Sequence, residues 1–162
     1  GVASRKYGLQ HAQIILTEHG LAHLPVCFAI LDIDHFKRIN DTYGHLVGDE
    51  VLVHFARHLS DKLGDGDFVT RLGGEEFLVV LPNAAEERAV LRLQRALLTL
   101  EPLPSTKSHA PLTFTFSGGV TLALQQETLP EIFRRADDAL YIAKQNGRAR
   151  IEVADRSAFN AA

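Results

Sequence analysis

The stretch RLGGEEFLVVLP, residues 71–82, decides the fold. It carries a continuous apolar run, FLVVL, short enough for a strand and preceded by two glycines and two adjacent glutamates. Just upstream, DFVTRL (67–72) has its own strand pattern, so Gly73 and Gly74 read as the tight primed turn of a β-hairpin. A two-residue hairpin between helices is foreign to a doubly wound parallel sheet. It argues for a mixed, largely antiparallel sheet with helices packed on it.

Working outward, PVCFAILDID (25–34) is almost unbroken in apolar character, the mark of a strand buried on both faces. Residues 5–20 read as a helix stopped by Gly20, and 34–43 as a short helical piece before a turn at Gly44. In 44–63, Leu52, Phe55, Leu59 and Leu63 share one helical face. In 84–100, Val90, Leu93, Leu97 and Leu100 form the expected seam. A Pro-bearing connection (101–111) leads to a strand pattern at 112–124. The last helix, ending at Gly147, buries Ile132, Phe133, Ala136, Leu140 and Ala143, and RIEV closes the pattern. The order predicts an α+β fold, ferredoxin-like at its centre, with a mostly antiparallel sheet flanked by helices.

The bulk figures fit one domain over 1–162. Hydrophobic residues make up 46% and charged residues 23% of the chain, which is ordinary for a globular protein. A net charge of −3 leaves no basic footprint for duplex DNA or an anionic membrane. No run approaches the roughly 18 apolar residues of a membrane span. Cys27, the only cysteine, sits in an apolar run and reads as core filling. The chain begins at Gly1 and holds no Met, which suggests a segment excised from a longer multidomain protein.

Two neighbouring carboxylates at a strand mouth repel each other unless something positive lies between them. Val26, Phe28, Ile30 and Asp32 share a strand face, so an apolar row leads to a carboxylate. If strand 26–33 lies beside 76–81, Asp32 converges with Glu75 and Glu76 into an oxygen-rich cluster suited to Mg²⁺. The glycines, lacking Cβ atoms, would let phosphates approach the backbone. The bland alternative is a solvated turn with spare acids. Asn40 and Asp49 could together read guanine, the carboxylate accepting from N1–H and the exocyclic amine. Their structural alternatives are a helix stop and a first-turn acid on the macrodipole. Lys144 and Arg148, four apart, either satisfy a helix C-terminus or clamp a polyphosphate. His54 and His58 have zinc spacing without a third ligand and read as a surface face.

Taken together, LDIDHFKRINDTYGHLVGDEVL, RLGGEEFLVVLP and ADDALYIAKQNGR strongly resemble the GGDEF family of diguanylate cyclases, here with a GGEEF motif. The likeness runs from GVASRK to RARIEV. It implies a nucleotidyl-cyclase-like fold and condensation of two GTP into cyclic di-GMP with release of two pyrophosphates. By the resemblance, Asp32, the carbonyl of Ile33, Glu75 and Glu76 form the metal site for Mg²⁺, or Mn²⁺ in its place, and Glu75 is the general base for the ribose 3′-hydroxyl. Asn40 and Asp49 match the guanine-reading pair and His45 a further substrate contact. Phe36, Lys37, Gly74, Lys144 and Arg148 match positions lining the nucleotide and its phosphates.

The family works as a two-fold homodimer with two half-sites facing each other, usually driven by an N-terminal sensor or receiver domain. None is present in these residues, so weak or concentration-dependent activity is expected. As a domain it belongs in the cytoplasm, whether or not the full-length protein is membrane-anchored. Two departures stand out. The family's inhibitory product site, Arg-x-x-Asp, is represented only by Asp67, with Gly64 where the arginine would be. The asparagine usual after the closing Gly-Arg is Ala149. The rival readings are a catalytically silent module that binds GTP or cyclic di-GMP, and another nucleotidyl-transfer enzyme on a similar fold.

Overall fold

The strand 26–33 sits at the centre because every one of its residues is buried. Its odd residues Cys27, Ala29, Leu31 and Ile33 enter one apolar layer and its even residues Val26, Phe28 and Ile30 another. A strand with two apolar faces needs a helical layer on each, and the rest of the chain supplies them.

The computed structural model describes residues 2–107 and 109–155. In chain order the elements are α1 (Arg5–Ala22), β1 (Val26–Ile33), α2 (Phe36–Tyr43), α3 (His45–Lys62), β2 (Phe68–Gly73), β3 (Glu76–Pro82), α4 (Glu86–Leu98), β4 (Phe116–Leu122), α5 (Leu129–Gln145) and β5 (Ile151–Val153). The sheet order is β2-β3-β1-β4-β5. All neighbours are antiparallel except β4 and β5, which pair parallel across the α5 crossover. The first four strands have the ferredoxin-like arrangement expected from the hairpin, and β5 extends it.

Helices α3 and α4 cover the odd face of β1 through Val51, Leu52, Phe55, Leu59, Ala89, Leu93 and Ala96. Helices α1 and α5 cover the even face through Ala12, Ile15, Ile132, Ala136 and Leu140. The α5 layer lies very close to the sheet. A Cβ on Gly119 of β4 would collide with the backbone of Ala136 and Leu140. Helix α5 begins with a complete capping box, Thr128 with Glu131, and so is fixed in register from its first turn.

Several boundaries differ from the sequence expectation, each for a physical reason. Helix α1 runs past Gly20 to Ala22 and stops at His23, whose left-handed backbone closes the last turn. The α4 seam is rotated: Ala89, Leu93 and Ala96 are fully buried, while Val90, Leu97 and Leu100 pack at its edge. The small alanines let the helix sit closer than a leucine seam would. The strand expected from 112 begins at Phe116, because Leu112 pairs with Leu103 across the preceding connection.

The hairpin turn also moves by one residue. Gly73 pairs with Glu76, so the two loop residues are Gly74 and Glu75, and a register shift between Arg71 and Gly73 absorbs the offset. The turn is braced by Arg71, whose Nε donates to the Gly74 carbonyl at 2.9 Å.

Because α5 presses its backbone on Gly119, Gly119→Ala is expected to cost about 1–3 kcal/mol, the range for overpacking a closed core. Denaturant unfolding of the variant against the parent checks this, through a lower midpoint at unchanged slope.

Candidate active site at the end of the central strand

Asp32 is the last even-numbered residue of β1, and in the sheet register it faces Glu76 on β3 and Ser117 on β4. The apolar row Val26, Phe28, Ile30 therefore does end on a carboxylate beside the glutamate turn. Asp32 is only 7% exposed. Its sole salt-bridge partner among the described residues is Lys144 in the last turn of α5, with Nζ 3.0 Å from Oδ2. Burial raises the Asp32 pKa above its ordinary value. The Lys144 bond opposes that rise, while Glu75 and Asp34 add to it.

Glu76 is half-buried, and its pKa is also raised, first by burial and then by repulsion from Asp137 and Asp32. Asp137, on α5, shows the same direction, caused by burial and then by its neighbour Asp138. The end of the sheet is thus electrostatically overloaded with acid, with Lys144 as its nearest cation.

Among the described residues, however, no three His, Cys, Asp or Glu side chains form a group able to cage a metal ion. The closed three-carboxylate cluster anticipated from strand pairing is not formed. Asp32 and Glu76 stand opposite each other, while Glu75 occupies the turn. Two facing carboxylates at an open strand end still fit Mg²⁺, which commonly takes one or two carboxylates and completes its shell with water and phosphate oxygens. The raised acid pKa values, caused first by burial and then by neighbouring acids, are what a bound cation would offset. Ile33 offers backbone only, since its side chain is in the core and its N–H donates to the Glu75 carbonyl at 3.3 Å.

The base-reading candidates lie on α2 and α3. Asn40 is not a helix stop, because α2 continues to Tyr43 and ends at Gly44. Asp49 lies beyond the first turn of α3, so the macrodipole does not account for it. Asn40 is held against α3 by a close approach that sequence reading missed. A Cβ on Gly48 would collide with Asn40 Oδ1 and lie 3.4 Å from Phe36 Cζ. Gly48 thus seats the Asn40 carboxamide one residue from Asp49, with Phe36 closing the same contact. Asp49, His45 and Lys37 are exposed.

Arg148 is not a second helical prong beside Lys144, because α5 ends at Gln145 with Asn146 as its C-cap. Arg148 instead sits in a left-handed stretch, with φ 63°. His54 and His58 are half-buried rather than on a free surface. Each ring Nε2 meets a backbone carbonyl, that of Glu101 at 2.9 Å and that of Ala96 at 2.7 Å, so they tie α3 to its neighbours. Asp67 is likewise engaged: its carboxylate accepts from Arg92 at 2.9 and 3.1 Å and from the Gly64 N–H at 2.7 Å. Two clefts share Gly73, one of about 220 Å³ against Glu76 and Asp137 and one of about 730 Å³ against Val2, Leu52 and Phe77.

A family model described as "Diguanylate cyclase, GGDEF domain" matches residues 1–150. The diguanylate cyclase DgcP of Pseudomonas aeruginosa is 47% identical over 126 residues, covering 78% of this chain and 19% of that protein. The response regulator PleD of Caulobacter vibrioides is 36% identical over 151 residues, 91% of this chain and 33% of that one. The chain therefore spans a third or less of these two curated relatives. The crystal structure of the GGDEF domain of DgcB from Caulobacter crescentus, in complex with c-di-GMP, superposes with a TM-score of 0.88 at 31% identity, covering 94% of this chain and 91% of that one.

Two outcomes follow from the site itself. A carboxyl whose folded pKa is raised stabilises the fold most below its ordinary value, 4.5 for Glu76, and loses that contribution as pH rises through the folded pKa. Without divalent cations, Glu76→Gln is therefore expected to raise the melting temperature at pH 8. The gain should shrink towards zero as pH falls below 4.5, which melting curves across that interval would read. Gly48→Ala should keep α3 intact, since alanine favours helix by roughly 0.5–1 kcal/mol over glycine. It should nevertheless expel the Asn40 carboxamide, seen as displaced Asn40 side-chain amide resonances with little change in melting temperature.

Proposed function

The chain belongs to the GGDEF domain family of diguanylate cyclases, and from that premise we propose that it condenses two GTP into cyclic di-GMP and two pyrophosphates. The observation that carries this reading is the pairing of Asp32 with Glu76 across β1 and β3, beside the Gly74–Glu75 loop and within 3.0 Å of the Lys144 ammonium. That end of the sheet joins excess carboxylate, exposed backbone and a long cation, the combination a triphosphate with its divalent ion requires.

Each residue then has a task. Asn40 and Asp49 take the guanine edge. Adenine has no matching donor pair and would leave the Asp49 carboxylate unpaired, at a cost of roughly 1–3 kcal/mol. His45 contacts the substrate from the start of α3. Lys144 leaves Asp32 for the phosphates, joined by Arg148, Lys37 and the open backbone at Gly74, while Phe36 packs beneath. Glu75 accepts the proton of the 3′-hydroxyl, the freed oxygen attacks the α-phosphorus of the facing GTP, and pyrophosphate departs; two such steps close the ring. Asp32, the Ile33 carbonyl, Glu75 and Glu76 would hold Mg²⁺ or Mn²⁺, which supplies charge neutralisation of the triphosphate.

One GTP per domain makes turnover a property of a two-fold homodimer. An N-terminal sensor or receiver domain in the whole protein would bring the halves together. Its substrate places the domain in the cytoplasm, and among the described residues no helix is long and apolar enough to cross a membrane. Product inhibition through the Asp67 position is not expected, because Gly64 brings no guanidinium and Asp67 is bound to Arg92.

The test is incubation with GTP and Mg²⁺, both as the chain itself and as a forced coiled-coil dimer, with nucleotides read by mass spectrometry. Cyclic di-GMP is expected from the dimer, with a loss on the order of 10²-fold or more in Glu75→Ala. GTP bound but left intact by the dimer would instead establish a regulatory binding module.

A further inference from the structure

We propose that Asp34 is a positioning residue for nucleotide binding: its carboxylate holds the left-handed turn after α5 and thereby sets where Arg148 stands. Three observations converge on it. Asp34 is 4% exposed, lies two residues beyond Asp32, and has no part in the ion pair with Lys144. Burying a carboxylate is costly unless donors surround it, and here they do. Oδ1 accepts from Ser117 Oγ at 2.7 Å, and Oδ2 accepts from Thr115 Oγ1 at 2.7 Å and from the Ala149 N–H at 3.0 Å. The Asp34 N–H donates to the Thr115 carbonyl at 2.9 Å, so its backbone is tied to the same strand as its side chain.

The third of those donors is the informative one. Helix α5 closes in a Schellman arrangement, with Arg148 N–H donating to Ala143 O at 2.9 Å and Gly147 N–H to Lys144 O at 3.4 Å. Gly147 has φ 110°, as such a closure demands. The chain then continues through Arg148 at φ 63° and Ala149 at φ 49°. Two successive non-glycine residues in the left-handed region carry a cost of roughly 1–2 kcal/mol each, and neither is asparagine, which tolerates it. The hydrogen bond to Asp34 holds this pair in place, and the Gly118 N–H, bonded to Arg150 O at 2.9 Å, anchors the far side.

The consequence is geometric. Lys144 is positioned by the helix itself, whereas Arg148 is positioned only by the turn. Without the Asp34 tether the turn can relax towards ordinary φ values and carry the Arg148 side chain with it. This inference rests on the nucleotide reading above, since Arg148 matters there as a phosphate ligand. It also gives Ala149 a physical meaning: the chain meets a left-handed requirement with an external carboxylate rather than with a residue that prefers it.

The test uses the parent chain, Asp34→Asn, Ala149→Asn and the double variant. Binding of 3′-deoxy-GTP with Mg²⁺, a probe lacking the attacking hydroxyl, is followed by titration calorimetry, where stoichiometry reports the folded fraction and Kd the affinity. Asp34→Asn turns one acceptor oxygen into a donor facing donors. It should weaken Kd about tenfold, the scale of one misplaced charge-assisted contact, and speed amide exchange at Ala149 by a similar factor. Ala149→Asn alone should leave Kd within about twofold, and in the Asp34→Asn background it should recover at least about threefold.

A lowered stoichiometry at unchanged Kd would overturn the proposal, leaving Asp34 a purely structural residue. So would a weakened Kd that Ala149→Asn does not relieve. If the parent binds no 3′-deoxy-GTP, the nucleotide reading itself fails and the role given to Arg148 fails with it. Amide exchange at Ala149 still separates the two failures, because the tether is visible there without any ligand.

Discussion

The site depends on a strand that is buried on both faces and ends in acid. Eight consecutive buried residues of β1 fix two helical layers and the order of the neighbouring strands, leaving no slack in where residue 32 falls. The free energy of that core, at about 25 cal/mol per Å² of apolar surface removed from water, holds a carboxylate where a carboxylate alone would not stay. The raised pKa values of Asp32 and Glu76 are the visible strain of this arrangement. Lys144 relieves part of it in the protein as it stands. A further cation beside these carboxylates would relieve more, so the burial and repulsion that raise their pKa values also favour cation binding.

Much of this was legible in the sequence because it follows from periodicity. The two-faced burial of β1, the hairpin, the helical layers and the meeting of Asp32 with the glutamate turn all come from alternation of two and 3.6, which a one-dimensional string carries. Details set by backbone approach between distant segments were not legible. Nothing in the local sequence around Gly48 signals the approach of Asn40, which comes from the preceding helix. The turn slipped from Gly73 and Gly74 to Gly74 and Glu75 because a bulge takes up one residue, and no local pattern signals that shift. The spacing of four pairs Arg148 with Lys144 at a helix end, yet α5 stops at Gln145 and Arg148 stands in a left-handed turn.

Asp34 is instructive for a different reason. It stands in the same motif as Asp32, two residues on and facing the same side, and could pass for a second metal ligand. The three donors around it give it another use. Neighbouring acids in one short motif therefore differ in their partners, Asp32 pairing with the Lys144 ammonium and Asp34 with neutral donors of the fold. Asp67 shows the same divergence, since its carboxylate is held by Arg92 and the Gly64 backbone and works within the fold.

The antiparallel match of Asp32 with Glu76 has one more implication, for how the chain reaches its native state. Side chains on paired strands alternate faces with a period of two, so β3 slipping by one residue against β1 would turn Glu76 towards Phe55 and Leu59 and bring Phe77 and Val79 to the opposite face. Such a misaligned hairpin would bury a lone charge in grease and could not persist. The acids at the mouth of the sheet thus also serve as a parity check against the wrong alignment of the central strands.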